Sequence, residues 1–280
     1  MTTFQTLENI STSDILATFN QSFSDYILPF HLTLPQLEEK IKNDSLRLEL
    51  SAGAFESGKL VGFILHGFDI IDNKRVIYNA GTGVIPEKRG NKLTAGLYDY
   101  IFPLLKTENV DNTQLEVLTE NKPAIKTYEK IGFEISRKLD CYKGAISIEI
   151  PNNNYEIKEL KLYDWEIMKS FWDWEPSWQN SITAVENVKD SIISIGIYDH
   201  STLLGYLLFN PKSKRVQQFA IDKKYRKQGL GKQLFGHIAS EFGAEMSLIN
   251  IDADATGTAQ FLAPLGFEKY IMQYEMRLKL

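Results

Sequence analysis

Tyr225-Arg226-Lys227-Gln228-Gly229-Leu230-Gly231 follows the strand-like Gln218-Phe219-Ala220-Ile221 and opens a helix-like run over 232–242. A glycine-bearing turn that begins a helix leaves backbone N–H groups without helical partners, and the helix dipole adds partial positive charge where they point. Such a turn is shaped to cradle a phosphate. Gly229 lets the backbone approach an anion closely, Gly231 lets the new helix pack tightly, and Arg226 supplies a permanent charge.

The chain carries this feature twice. Lys88-Arg89-Gly90-Asn91-Lys92-Leu93-Thr94 follows the strand-like 76–84 and opens another helix, and the two arginines lie 137 positions apart. In the first following helix Leu93, Leu97, Tyr100, Ile101, Leu104 and Leu105 form an apolar stripe; in the second, Leu230, Leu234, Phe235, Ile238 and Phe242 do so. Each copy then predicts a short strand and a second helix. That helix ends in Tyr128-Glu129-Lys130-Ile131-Gly132-Phe133 in one copy and Leu262-Ala263-Pro264-Leu265-Gly266-Phe267 in the other. Arginine to phenylalanine is 44 positions in the first and 41 in the second. Two signals in step imply an internal duplication with a period near half the chain.

A length of 280 residues suits two domains of about 150 each. Hydrophobic content of 43% and charged content of 24% are those of a globular protein. There is no long apolar run and no basic, apolar leader at Met1-Thr2-Thr3-Phe4-Gln5, so no membrane partner and a cytoplasmic location are expected. The single Cys141 excludes an internal disulfide, and His31, His66, His200 and His237 lack ligand spacing, so no metal is expected. A net charge of -5 argues against nucleic acid. Lys212, Lys214, Arg215, Lys223, Lys224, Lys227 and Lys232 nevertheless crowd the second cradle, as solvated surface or as a receptor for a polyphosphate.

Helices are expected over 12–23 and 34–43, the latter capped by Thr33 and Gln36 with Pro35 in its first turn. Strands follow over 46–54, 59–68 and 76–84, and later 134–143. The second half predicts a helix over 165–174 and strands over 191–198 and 203–209. Pro151-Asn152-Asn153-Asn154 marks a break, giving domains 1–148 and 155–280 with a linker at 149–154. The layout is mixed α/β (α+β), with mostly antiparallel strands.

Arg226-Lys227-Gln228-Gly229-Leu230-Gly231 after a strand, with a downstream Gly-Phe in both halves, resembles the GNAT superfamily of N-acetyltransferases. The resemblance covers both halves. It implies two GNAT-type domains, each a mixed sheet flanked by helices, with acetyl-CoA pyrophosphate at the cradle and pantetheine beside a splayed cradle strand. In the first half it gives Val84 the backbone bonds to pantetheine and Arg89, Gly90, Asn91, Lys92, Leu93 and Thr94 the cradle. Asn121 meets the pantetheine arm, and Tyr128 protonates the departing thiolate. In the second half Ile221, Arg226, Lys227, Gln228, Gly229, Leu230 and Gly231 match the cofactor positions. The copies depart in opposite ways: Lys92 and Thr94 replace cradle glycines in the first, while Ala255 and Leu262 replace the asparagine and tyrosine in the second.

A tyrosine suits the acid role because a phenol with a reference pKa near 10 keeps its proton at neutral pH. The base is either Glu116 or a water held by Tyr78 or Asn79. Asp25, Tyr26 and Phe30 are candidates for holding the acceptor, a primary amine of a small molecule or peptide. Phe171, Trp172, Trp174 and Trp178 form either core packing or a stacking wall. Three functions stay open: an acetyltransferase active in its first half, a non-catalytic acyl-CoA sensor, and an enzyme active in its second half.

Overall fold

The computed structural model describes residues 1–26, 30–147 and 155–280, and its contacts form two compact units. Unit 1 is Met1–Ser136 with Tyr274–Leu280; unit 2 is Arg137–Gln273. The expected linker at 149–154 and residue 148 lie outside the described residues. Among the described residues no helix is long and apolar enough to cross a membrane.

Along unit 1 come β1 (Thr2–Thr6), α1 (Thr12–Ser22), α2 (Leu34–Asn43), β2 (Ala52–Glu56), β3 (Lys59–Ile71), β4 (Lys74–Val84), α3 (Leu93–Thr107), β5 (Asn112–Leu118), α4 (Lys122–Ile131) and the start of β6 (Glu134–Ala145). The strands lie in the order β1-β2-β3-β4-β5, antiparallel except for β4 with β5. That parallel pair needs the crossover helix α3. Ser57-Gly58 and Asp72-Asn73, with φ of 50°, 77°, 49° and 61°, make the left-handed two-residue turns that match strand twist in a hairpin. Alternation along β3 then divides the core. Phe63 and Leu65 pack with Ile15, Phe19 and Leu37 of α1 and α2, whereas Ile64 packs with Leu97, Ile101 and Ile125 of α3 and α4.

Unit 2 takes the remainder of β6, then β7 (Glu156–Glu159), α5 (Trp165–Ser170), α6 (Ile182–Asn187), β8 (Ile193–Asp199), β9 (Thr202–Asn210), β10 (Arg215–Ile221), α7 (Leu230–Phe242), β11 (Glu245–Asp252), α8 (Thr256–Leu262) and most of β12 (Phe267–Lys279). Its strands lie in the order β6-β11-β10-β9-β8-β7, with β10 and β11 parallel. Tyr206 and Leu208 of β9 face Met168 and Val185, while Leu207 and Phe209 face Leu230, Leu234 and Ile238. The end of β12 returns to unit 1: Met276 is buried in that core, and the Leu280 N–H donates to the Asp111 carbonyl at 3.0 Å.

Both cradle strands are splayed, and both are bulged at equivalent places. β4 pairs with β5 only from Val76–Asn112 to Asn79–Leu115, yet continues to Val84; β10 pairs with β11 only at Arg215–Ser247, yet continues to Ile221. Opposite β3, Ala80 is the extra residue; opposite β9, Gln217 is. These two also stand 137 positions apart, so the duplication extends to backbone irregularities.

Two expectations shift, and one strand had not been expected. Leu48–Leu50 is a 3-10 turn, so the strand expected over 46–54 begins at Ala52. The helix expected over 165–174 stops at Ser170, where the chain turns to bring Phe171 into the core and carry Asp173 to Arg226. The threonine-rich Thr2–Thr6 forms an edge strand whose pattern is too short to stand out.

His66 on β3 is fully buried, with Nδ1 2.7 Å from the Leu50 carbonyl, and desolvation lowers its pKa from 6.5 to about 4. The folded chain binds fewer protons here than the unfolded chain between those values, so stability falls as pH drops through this window. Urea unfolding near pH 7 and pH 5 should show a loss of about 2 kcal/mol that His66→Gln lacks; an equal loss in that variant would refute the assignment.

Candidate functional site

Each cradle loop follows a 3-10 turn, Pro86–Lys88 or Lys223–Tyr225. Each takes two left-handed residues, Gly90 (φ 79°) and Lys92 (58°) in unit 1, Lys227 (62°) and Gly229 (85°) in unit 2. Glycine and lysine have exchanged places between the copies, so Lys92 sustains the conformation expected of a glycine. The conformation costs a non-glycine residue about 1–2 kcal/mol, which each loop bears once. Gly231 has a packing reason as well: a Cβ there would meet the Phe261 ring at 2.9 Å.

Both cradle arginines are held from three sides. Arg226 donates from Nε to the Ile221 carbonyl (3.1 Å), from Nη1 to Asp173 (2.8 Å) and from Nη2 to the Phe171 carbonyl (2.7 Å). Arg89 donates to the Val84 carbonyl (3.2 Å), to both Asp25 oxygens (2.7 Å each) and to the Ser22 carbonyl (2.8 Å). The Arg89 guanidinium holds the Asp25 carboxyl below its ordinary range. Each guanidinium thus ties its cradle to the end of the unit's first helix. The acid lies three residues beyond that helix in both copies, at Asp25 after Ser22 and Asp173 after Ser170.

In unit 2 the cradle opens on a cavity of about 780 Å³. It is lined by β10, by Leu248, Asn250 and Ile251 of β11, by α8 and by the Phe171–Pro176 segment. Trp172 Nε1 donates to Tyr206 Oη (2.6 Å), which donates to Gln218 Oε1 (3.0 Å); Gln218 Nε2 donates to the Asn180 carbonyl. Burial raises the Tyr206 pKa, so this phenol remains a hydrogen-bonded neutral group. Of the expected aromatic cluster, Phe171, Trp172 and Trp174 line the cavity, and Trp178 is buried.

A strand that splays at a bulge, a left-handed cradle and a following helix occur in both units, and the sequence matches the model of the acetyltransferase (GNAT) family over residues 13–133 and 159–267. The chain belongs to the GNAT acetyltransferase family. The family transfers acyl groups from acetyl-CoA. No curated protein sequence matches the chain. Among solved structures it is similar to a tandem GNAT protein from the clavulanic acid biosynthesis pathway, at 12% identity and a TM-score of 0.74, covering 100% of this chain and 98% of that one. It is similar to a GCN5-related N-acetyltransferase from Sphaerobacter thermophilus, at 12% identity and a TM-score of 0.72, covering 99% and 95%. It is also similar to a GCN5-related glucosamine N-acetyltransferase region of a fungal multi-domain β-N-acetylglucosaminidase, at 15% identity and a TM-score of 0.74, covering 99% of this chain and 38% of that one. At these identities the likeness is one of fold.

In the GNAT fold of unit 1, a polar cluster gathers where the cradle strand parts from β5. Asn79 Nδ2 donates to Thr82 Oγ1 and to Tyr98 Oη at 2.7 Å each, and its Oδ1 accepts the Gly81 N–H at 3.0 Å. The Tyr128 hydroxyl interacts with the Thr82 and Asn79 side chains; burial raises its pKa and those interactions lower it. Its ring meets Tyr98 and Phe133 edge-on at 6.3 and 5.8 Å. Asn121 caps α4 by accepting the Ala124 N–H (3.2 Å) and also bonds to Tyr26. Glu116 accepts from Tyr78, whose phenol is pushed well above its ordinary pKa by burial first and by that carboxylate second. Phe30 is an exposed ring against Phe19 and Phe23.

Sequence reasoning missed Asp173, Tyr206, Gln218, Thr82 and Tyr98. None carried a usable signal: the helix expected over 165–174 placed Asp173 in its interior, and the shared offset from the helix end appears only once that helix is seen to stop at Ser170. The geometry makes a directional prediction. If Arg226 serves by clasping the wall, Asp173→Asn and Arg226→Gln should each weaken acetyl-CoA binding about three- to tenfold, and the double variant should be no worse than either. Tighter binding by Asp173→Asn in calorimetry would instead mean that Asp173 restrains a phosphate ligand.

Proposed function

We propose that the chain transfers an acetyl group from acetyl-CoA to a primary amine of a small molecule or peptide, with the chemistry in unit 1. The amine nitrogen attacks the thioester carbon, the C–S bond breaks, and Tyr128 protonates the departing thiolate. The observation that carries this reading is the Tyr128 hydroxyl beside Thr82 and Asn79 at the splay, with its pKa raised by burial. A phenol kept protonated there can donate to a thiolate of comparable basicity. Val84, the 89–94 loop and Asn121 would hold the cofactor in this unit. Tyr26 and Phe30 would form the acceptor's wall.

Glu116 is favoured as the base. Both Asn79 Nδ2 hydrogens are committed to Thr82 and Tyr98, which leaves that side chain poorly suited to hold a water, whereas Glu116 is an acceptor already oriented by Tyr78. Asp25 would have to exchange Arg89 for a cationic amine, so it serves the acceptor only at the expense of the clasp.

Unit 2 would hold acyl-CoA without transfer, through Ile221 and the 226–231 loop, since Ala255 and Leu262 stand where unit 1 has Asn121 and Tyr128. A second reading, transfer in unit 2, is favoured by the cavity running from its cradle to Tyr206. Gly257 on α8 lines that cavity, and a Cβ there meets nothing within 4 Å, so Gly257→Trp has room for its Cβ and adds an indole at the cavity wall. With acetyl-CoA and a panel of amines, assayed by released thiol, Tyr128→Phe should lower kcat by at least about tenfold while Gly257→Trp keeps activity. The reverse pattern supports the second reading, and absence of turnover with every amine supports a non-catalytic acyl-CoA-binding protein. Calorimetry should give two acetyl-CoA per chain, falling to one in Gly257→Trp.

A further inference from the structure

Four polar side chains of unit 1 stand where unit 2 is apolar throughout. The offset of 137 positions that relates the cradles pairs Asn79 with Val216, Thr82 with Phe219 and Tyr98 with Phe235, and the Gly-Phe endings pair Tyr128 with Leu262. In unit 2 these four residues pack in one core, where the Phe219 and Phe235 rings meet edge-on at 5.0 Å. The fold therefore has an apolar solution for these positions. Burying polar groups there instead is costly unless each finds a partner, so packing does not account for the unit 1 set.

The bulge brings that set together. Residues three apart on a regular strand face opposite sides, but Ala80 is the extra residue of β4, so Asn79 and Thr82 both reach the face where Tyr98 of α3 and Tyr128 of α4 lie. Asn79 Oδ1 accepts the Gly81 N–H at 3.0 Å, which fixes the amide and leaves both Nδ2 hydrogens to donate, to Thr82 Oγ1 and Tyr98 Oη at 2.7 Å each. Both oxygens thus accept from Asn79, and each hydroxyl keeps its own proton to give. Tyr98 also bonds to Thr82, and Thr82 to Tyr128. Tyr98 is 1% exposed, so its proton goes to Thr82 and not to solvent, which sends the Thr82 proton on to Tyr128.

We propose that Tyr98 is a positioning residue for Tyr128: its hydroxyl donates to Thr82, Thr82 donates to Tyr128 Oη, and Asn79 fixes the order of the chain. The Tyr128 proton is then the one left to meet the departing sulfur. As the S–H bond forms and the Tyr128 O–H bond breaks, the Thr82 proton meets the phenolate, and the bond behind it from Tyr98 strengthens that contact. Water returns a proton to the phenolate, matching the one that the amine nitrogen gives up. The inference rests on the acid role proposed for Tyr128, and its test separates the two.

The full chain carrying difluorotyrosine at position 128 gives a single fluorine NMR signal, and fluorination brings that phenol's titration down from the alkaline extreme. Phe235 is fully buried at the matched position of unit 2, so Tyr98→Phe keeps the packing. Thr82→Val should raise the midpoint by about 1–2 pH units and Tyr98→Phe by about 0.3, with no Tyr98→Phe effect left in the Thr82→Val background. In thiol-release assays of the unlabelled chain, Tyr98→Phe should lower kcat about threefold with the KM for acetyl-CoA unchanged, and should cost nothing further in Tyr128→Phe. A lowered midpoint in Tyr98→Phe overturns the proposal, because Thr82 would then have been donating to Tyr98. An unchanged midpoint also overturns it, as does a kcat loss equal in both backgrounds, which marks a packing role. If Tyr128→Phe keeps full kcat, the acid reading fails, while a midpoint raised by Tyr98→Phe still supports the order of the chain.

Discussion

Each unit depends on a guanidinium that grips two main-chain carbonyls and a carboxylate at once. A cradle works as an anion site only if its N–H groups point outward without internal partners, and a loop so arranged has little of its own to hold it. Arg89 and Arg226 supply the hold from behind, binding the strand end that precedes the loop and the helix end across from it. Their exposed ion pairs alone would contribute little, about 0–1 kcal/mol; the bonds to main-chain carbonyls give the arrangement its geometry. The splay has the same logic, since a strand that leaves its parallel neighbour frees backbone groups, and the bulges at Ala80 and Gln217 set where that happens.

On this shared frame the two copies have diverged in different parts. Unit 1 keeps Asn121 and Tyr128 and surrounds the splay with Asn79, Thr82 and Tyr98. Unit 2 has Ala255 and Leu262 in place of the first pair, packs Leu262 completely into its core, and has a cavity of about 780 Å³ at its cradle. The polar cluster and the cavity are built from different residues in the two copies.

The fold was legible where the pattern was local and doubled. The cradles, their apolar helices and the Gly-Phe endings could be aligned by offset, and Thr33 with Gln36 announced the cap that forms on α2, where Gln36 accepts the Thr33 N–H at 2.8 Å. The roles of the charges were less legible. Arg226 and Asp25 read as groups for a phosphate and an amine because a sequence shows what a side chain can bind and not what already occupies it. Asp173, Tyr206 and Gln218 meet only after the sheet has formed, across separations no periodic pattern spans. The helix expected over 165–174 ended early for a similar reason: tertiary contacts of Phe171 and Asp173 outweigh helical propensity there.

The return of Tyr274–Leu280 to unit 1 bears on how the chain comes to be folded. Ser136 donates to the Glu275 carbonyl across 139 positions, and Met276 fills a core otherwise made from the first half. During synthesis, unit 1 therefore waits with an unfilled core until the last strand has been made, although all its other parts emerged first. Contacts so distant along the chain slow folding, because the loop must close before they reward it. The arrangement also makes the chain a poor subject for dissection: a cut between the sequence halves would leave the first without its final strand and the second without the strand begun at Glu134.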